Sequence, residues 1–334
     1  MQLSQPLEER VILAVKKFAH SMHSSRNVVA EMTELVIATS ALPLSNLNYW
    51  ERLIRHEFSL ALEKQVQPKW KIWSKPLQIL TWIDLMSWDG YRREKVLRTL
   101  SGAVPNRFFF ALVLRRLNDW VPEVRKAARE ALPLIAQASD SAHIVDALTV
   151  TFVHWNSWKR MDGLDRKALL DILFQTDIAQ AFKIKILQAI SGPTASILAQ
   201  IGRTSVLDTH LSEIAKHARQ PSVRAKSYRS LFEGKMTWFE GRKWEWTDVR
   251  YCEGRFKPII SKRDLTIVSP LLETLKAASI DSSAMVRRVA AEILIRDLDA
   301  LGGESLSLAN LFAADRSHSV AERGRFALKQ LGVH

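Results

Sequence analysis

The sequence predicts an all-α protein built from stacked antiparallel helix pairs, with one non-helical insertion. Apolar residues recur at steps of three and four along most of the 334 residues, which is the spacing of one helix face. The chain has only 12 Gly and 11 Pro residues, and this low content suits helices better than a turn-rich β fold. A short motif also recurs, and recurrence at roughly 20 to 50 residues is typical of stacked repeats.

The clearest copy of this motif begins at Asp119. Pro122 follows in a position suited to the first turn of a helix, and Val124-Arg125 then opens an amphipathic segment. The preceding residues 108–117 are almost wholly apolar and predict a second helix. Neither helix would bury its apolar face alone, so the pair predicts a unit that stacks on its neighbours.

Other segments repeat the offset between Asp and the Val-Arg pair. The interval from Val286 to Val320, which belong to two such segments, is 34 residues. Copies begin at Asp281 and Asp315, a copy at Val223-Arg224 lacks the Asp, and weaker copies begin at Asp177 and Asp89. These copies predict helix pairs along most of the chain.

The pattern of Asp, then Val-Arg, then Ala, with Pro near the helix start, resembles the second helix of a HEAT-type repeat. The resemblance is good for residues 106–138 and 267–299 and fair for 210–232 and 305–331. It implies a right-handed α-solenoid of HEAT-like antiparallel helix pairs. It implies no single activity, because such repeats serve as scaffolds for many partners.

This interpretation divides the chain into four regions. The interval from Val223 to Val286 is 63 residues, which indicates an insertion of about 30 residues into a period of about 34. The regions are an N-terminal helical region at 1–75, HEAT-like repeats at 76–232, an aromatic and basic insertion at 233–264, and further HEAT-like repeats at 265–334.

Composition bounds the function. Lys and Arg number 48 against 35 Asp and Glu, which gives a net charge of +13 and a pI near 9.9. This surplus favours an anionic partner, which could be nucleic acid, an acidic protein surface or a charged membrane face, although basic surfaces also serve solubility. Cys252 is the only cysteine, so internal disulfides are excluded and a reducing compartment is favoured. With no signal-peptide core and no uncharged apolar run of about 18 residues, we expect a cytoplasmic protein without a membrane span.

The basic residues fall into two groups. The first group occupies the consensus arginine position of the motif: Arg125, Arg224 and Arg287. At that position, the resemblance implies that the side chain pairs with an Asp such as Asp119 and so links adjacent turns of the repeat. Basic residues outside that position are the candidates for contact with an anionic partner: Arg93, Arg116, Lys126, Arg129, Lys159, Arg160 and Arg288. The alternative interpretation is a charged face that is simply solvated.

Tryptophans occur in the links between predicted helices, at Trp88, Trp120, Trp155 and Trp158. Links of a stacked array fall on one edge, so we expect these side chains along one edge. The segment 68–76 also interleaves aromatic with basic residues. Interleaving suits a platform on which bases stack, but we favour a connector whose tryptophans pack against adjacent helices.

The insertion alternates aromatic with charged residues over 235–246, and the pattern predicts a short β-hairpin around Glu240-Gly241. Insertions into repeat arrays often carry the specific contact. The expected contact residues are Trp238, Arg242, Lys243, Trp244, Trp246, Arg250 and Arg255. The alternative is a strap whose tryptophans pack over neighbouring helices.

No nucleotide-binding, hydrolase or zinc-protease motif is present, and we expect neither a cofactor nor a metal site. The predicted function is a non-enzymatic interaction scaffold that binds an acidic protein partner, nucleic acid or both. The alternative is a DNA glycosylase for alkylated bases, an activity of some HEAT-like solenoids. In such an enzyme, a carboxylate beside a Trp would stabilise the cationic sugar that forms in the reaction. The candidate pairs in this chain are Asp84 with Trp82 and Trp88, and Asp119 with Trp120.

Overall fold

The computed structural model describes residues 7–24, 28–63, 80–100 and 102–333, so the predicted connector at 68–76 lies outside the described residues. The described chain is mostly helical, with 17 α-helices and one antiparallel pair of strands. It forms two compact units, Met1–Ile178 and Ala179–His334. Within the described ranges, no helix combines the length and the apolar character that crossing a membrane requires.

Eight helices lie within the described part of the first unit. Helix α4 packs on α6 and α6 packs on α8, while α5 packs on α6 and α7, so the unit has two helix layers. Short 3-10 turns occur at Leu44–Asn46, Trp82–Met86, Trp155–Ser157 and Ile172–Phe174. The helices are α1 (Leu7–Ser24), α2 (Val28–Ser40), α3 (Leu47–Glu63), α4 (Gly90–Thr99), α5 (Arg107–Arg116), α6 (Pro122–Ala138), α7 (Ser141–His154) and α8 (Gly163–Asp171).

Helix α5 is the centre of the first unit. Its start is fixed by Asn106, whose side-chain oxygen accepts hydrogen bonds from the N–H groups of Phe108 and Phe109. The residues from Phe108 to Leu114 are all buried. A helix that is apolar on all sides belongs in a core, which explains why helices pack around α5.

The remaining described helices belong to the second unit, apart from the first three residues of the helix that begins at Thr176. Helix α12 packs on α14 and α14 packs on α17, and the motif residues Val223, Val286 and Val320 are fully buried in these three helices. The helices are α9 (Thr176–Gln188), α10 (Thr194–Ile201), α11 (Leu211–His217), α12 (Pro221–Glu233), α13 (Leu271–Ser279), α14 (Ala284–Arg296), α15 (Leu298–Leu301), α16 (Glu304–Ala313) and α17 (His318–Gln330).

The non-helical segment is a long antiparallel hairpin. Strand β1 (Lys235–Asp248) pairs with β2 (Glu253–Asp264). The expected turn at Glu240-Gly241 is wrong, because the chain reverses at 249–252 instead. Gly241 sits at a register shift, where an extra residue is accommodated as a β-bulge. The glycine that suggested a turn therefore marks a local twist within one strand.

The base of the hairpin is anchored to helices of the second unit. Met236 is buried against Gly202 at the end of α10 and against the Ser230 hydroxyl of α12. The Arg263 guanidinium donates to both carboxylate oxygens of Asp208, at 2.6 and 2.8 Å. These contacts hold the proximal half, whereas most side chains beyond Gly241 are exposed.

Candidate binding surfaces

One arrangement of arginine and aspartate occurs three times in the structure. In the second unit, Arg224 of α12 donates through Nε and Nη2 to the two carboxylate oxygens of Asp281, both at 2.8 Å. Its Nη1 donates to the carbonyls of Ala218 and Arg219. Each arginine thus ties the start of its own helix to the Asp before the next stacked helix.

The other two copies have the same geometry. Arg287 donates to the carboxylate of Asp315 at 2.5 and 2.9 Å, and to the carbonyls of Asp281 and Ser282. Arg93 donates to the carboxylate of Asp119 at 2.8 and 3.0 Å, and to the carbonyls of Ser87 and Trp88. Arg125 differs, because it donates to the carbonyl of Asp119 and not to its carboxylate.

Arg93 and Arg116, which we expected at a binding surface, are buried. Arg93 is 2% exposed, and Arg116 is 6% exposed and lies between Glu51 (2.7 Å) and Asp119 (3.0 Å). Their guanidinium groups are therefore engaged inside the first unit. In this repeat Ser87 takes the place of the motif Asp, because its hydroxyl accepts a hydrogen bond from the N–H of Asp89, two residues later. The sequence motif aligns to Asp89 instead, and this alignment does not place Arg93 at the consensus arginine position.

Asp119 has an ordinary structural role. Burial by itself would raise the pKa of its carboxyl, but the hydrogen bonds from Arg93 and the Val121 N–H and the charge of Arg116 outweigh burial and hold the pKa below its usual value. Four donors occupy its two oxygens. No acceptor capacity is left to stabilise a cationic sugar.

Asp84, the second candidate carboxylate of the glycosylase alternative, is also engaged. It accepts from the N–H and hydroxyl of Thr81 and pairs with Arg92. Its side chain is buried. The two carboxylates that sequence placed beside tryptophans thus have structural partners.

The remaining predicted cations differ in accessibility. Arg129 pairs with the buried Asp165 at 2.7 Å, so it has a structural partner. Lys126, Lys159 and Arg160 are exposed on the first unit. On the second unit Arg288 is exposed, with Glu292 as a distant neighbour at 3.8 Å.

Two of the four link tryptophans are exposed in the turns before α4 and α6. Trp88 is 70% exposed and Trp120 is 68% exposed, whereas Trp155 belongs to the core. The Arg55 guanidinium lies 3.8 Å from the centre of the Trp88 ring, and the Arg93 guanidinium lies 6.0 Å from that of Trp120. Trp88 and Trp120 therefore lie at equivalent ends of two adjacent helices and form an aromatic and basic edge.

The distal half of the hairpin carries an aromatic cluster, formed by Trp244, Trp246 and Phe256. Trp244 pairs with Phe256 across the strands, and Trp246 follows on the same face. The ring centres of Trp244 and Phe256 are 4.9 Å apart and those of Trp244 and Trp246 are 5.4 Å apart, both edge to face. Trp244 also covers Gly254, because a side chain there would begin 2.5 Å from its ring.

All three members of this aromatic cluster are exposed, at 41% for Trp244, 53% for Trp246 and 63% for Phe256. Trp238 differs, because its Nε1 donates to Glu240 at 2.7 Å and Arg203 lies over its ring, so it anchors the hairpin base. The predicted cations Arg242, Lys243, Arg250 and Arg255 are exposed and, within the described chain, form no ion pair.

A cleft of about 390 Å³ lies in the first unit. Its walls come from the residues before and at the start of α3, from α5 and α7, and from the turn that ends at Trp158. Arg115 and His154 contribute charged or titratable groups to it. Sequence reasoning missed this cleft, because its residues are far apart in the chain and only Trp158 stood out.

Comparison with protein-family models, curated proteins and solved structures yields no significant match. Within the described ranges, no group of three His, Cys, Asp or Glu side chains is placed to hold a metal ion. The surfaces that remain are the aromatic cluster with its cations, the aromatic and basic edge, and the cleft.

Proposed function

We propose that this protein is a HEAT-like repeat scaffold that binds an acidic protein partner through the distal half of its hairpin. The HEAT-like assignment is supported by the repeated bond between an arginine and the next aspartate, at Arg93–Asp119, Arg224–Asp281 and Arg287–Asp315. It is also supported by the stacking of α12, α14 and α17 in one layer.

The observation that carries the binding proposal is the exposed aromatic cluster. Trp244, Trp246 and Phe256 pack edge to face, so they form a compact apolar knob and not a row of parallel rings. Other apolar side chains of the hairpin are exposed as well, at Val249 and Tyr251 in the turn and at Ile260 in β2. Exposed Trp and Tyr side chains of this kind dominate the binding energy when a partner's pocket buries them.

Charge selects the kind of partner. Arg242 lies on the same strand face as the knob, and Arg250 is exposed in the turn beyond it. Lys243 and Arg255 lie on the opposite face, next to Glu245. Within the described chain, none of these four cations forms an ion pair. An acidic rim around an apolar pocket would pair with these cations and accelerate association. The combination fits an acidic protein surface better than a neutral one.

Affinity purification with matched variants tests the proposal. The bait is the full chain, and the variants are Trp244→Ser with Trp246→Ser, and Arg242→Glu with Arg250→Glu. The control is Trp120→Ser, which removes an exposed tryptophan elsewhere. We expect acidic proteins that bind the wild type and the control and are lost with both hairpin variants. The same proteins bound equally by every bait would overturn the proposal.

Nucleic acid is the second candidate, and the aromatic and basic edge favours it. Trp88 and Trp120 expose ring surface on which bases could stack, and the half-buried Arg55 guanidinium lies against the Trp88 ring. Arg93 is buried and paired with Asp119, so it supplies no charge to this edge. Fluorescence anisotropy with labelled single-stranded DNA, duplex DNA and RNA at two salt concentrations tests it. Tight binding that falls steeply with salt and is lost in Trp88→Ser with Trp120→Ser would put nucleic acid first.

A further inference from the structure

The cleft of the first unit has the size and walls of a small-molecule site. Its volume of about 390 Å³ lies within the usual range of such sites, which is roughly 300 to 1,000 Å³. Ala111, Ala147 and Val150 supply apolar wall. Because these residues come from two packed helices, α5 and α7, the cleft is part of the folded unit and not a gap between loops.

The other walls carry groups that orient a polar ligand. The Asn48 amide and the Thr151 hydroxyl provide hydrogen-bonding groups, and His154 lies one helical turn beyond Thr151. Trp158 adds a planar ring at one side. The lining is about as polar as it is apolar, so polar groups can fix the orientation of a ligand while the apolar wall covers part of it.

The charge in the cleft comes from Arg115. Its guanidinium is partly exposed and lies 2.9 Å from Glu51, which also binds Arg116. Through Arg116 the network reaches Asp119 and Arg93, so three guanidinium groups meet two carboxylates. The network is therefore short of negative charge on the side where Arg115 meets the cleft.

The environment of Arg115 is consistent with that shortage. Burial lowers the pKa of its guanidinium, and the neighbouring charges of Arg116 and Arg52 lower it further, against the opposite effects of Glu51 and Asp119. A partly buried cation with cationic neighbours gains free energy when an anion comes within hydrogen-bonding distance.

We infer that this cleft binds a small organic anion in which a phosphate or carboxylate group, held by Arg115, is attached to a planar ring that packs against Trp158. The oxyanion would accept hydrogen bonds from Arg115 and supply the negative charge that the network of Arg115, Arg116 and Glu51 lacks. The apolar wall from α5 and α7 would cover the ring. The site is independent of the hairpin, so its test does not depend on the proposed protein partner.

Isothermal titration of the full chain with four probes tests the site. Phenyl phosphate and benzoate carry both the ring and the oxyanion, and they distinguish phosphate from carboxylate. Inorganic phosphate lacks the ring, and benzyl alcohol lacks the charge. We expect at least one of the first two probes to bind about tenfold more tightly than either of the others, because both the ring and the charge contribute.

Three variants and one control complete the test. Val150→Phe fills the cleft without changing any charge, and Arg115→Gln and Trp158→Leu remove the two recognition groups. Each should weaken the better probe about tenfold or more. Arg98→Gln, which alters an exposed arginine of the same unit, should leave binding unchanged.

The inference is overturned if no probe with both groups binds more tightly than inorganic phosphate, or if Val150→Phe binds as well as the wild type. Arg115 also pairs with Glu51, so its replacement could unfold the unit. Thermal unfolding identifies that outcome. In that case the result with Val150→Phe decides, because this variant keeps every polar group of the cleft.

Discussion

Arg93 and Asp119 are 26 residues apart and are joined by two hydrogen bonds, of 2.8 and 3.0 Å, between buried side chains. The same bidentate pair joins Arg224 to Asp281 across 57 residues, where the hairpin intervenes, and Arg287 to Asp315 across 28. In each case the arginine also binds the carbonyls before its own helix. The pair thus fixes the register between successive stacked helices.

We predict that the two adjacent arginines at 287 and 288 differ sharply in their effect on stability. Arg287→Gln leaves the Asp315 carboxylate without its partner, and breaking such a buried pair costs about 3 kcal/mol. Arg288 is exposed, so Arg288→Gln should change the free energy of unfolding by less than about 0.5 kcal/mol. Urea unfolding followed by circular dichroism measures both. Similar losses would contradict a structural role for the pair.

Asp315 should contribute to the loss of stability in acid. The hydrogen bond from Arg287 holds the pKa of its carboxyl below the usual value, although burial acts in the opposite direction. A lowered folded-state pKa stabilises the fold above the unfolded value of about 3.9, and this contribution disappears as pH falls through the folded-state pKa.

The variant Asp315→Asn tests this pH dependence. It should be less stable than the wild type at pH 7, and the difference should shrink as pH falls from about 5 towards 2. The measurement is the free energy of unfolding from urea titrations across that range. A difference that stays constant with pH would show that the carboxylate charge is not responsible.

Two glycines of the hairpin should respond differently to alanine. At Gly254 a methyl group would begin 2.5 Å from the Trp244 ring, so Gly254→Ala must displace that ring and open the aromatic cluster. A methyl group added at Gly241 would meet no atom within 4 Å beyond the adjoining residues, so Gly241→Ala should be tolerated. Near-ultraviolet circular dichroism reports the aromatic packing. Equal spectra for both variants would argue against the cluster.

The close packing of α16 against α17 depends on Gly324. A methyl group there would lie 2.1 Å from the backbone nitrogen of Ala313, so Gly324→Ala must move one helix. We expect a loss of about 3 kcal/mol in unfolding free energy, at the upper end of overpacking costs. Gly303→Ala meets no atom within 4 Å and is the control. If Gly324→Ala were as stable as the control, the helices could not approach this closely.

Much of the binding surface depends on which cations the fold buries. Of the seven cations predicted outside the hairpin, four remain exposed and lie on helix faces or links: Lys126, Lys159, Arg160 and Arg288. Arg93 and Arg116 are no less polar in sequence than these four. Their burial follows from Asp119 and Glu51, which are distant in the chain and supply the compensating charge.

The sequence by itself determined that the chain is mostly helical and that a non-helical segment lies between α12 and α13, because apolar period, helix capping and proline position act over a few residues. The HEAT-like assignment stays a prediction. The tertiary structure decided that Gly241 marks a bulge, that Trp155 is core while Trp88 and Trp120 are exposed, and that Arg115, Thr151 and Trp158 share a cleft. Those outcomes depend on packing between residues far apart in sequence, which no local pattern records.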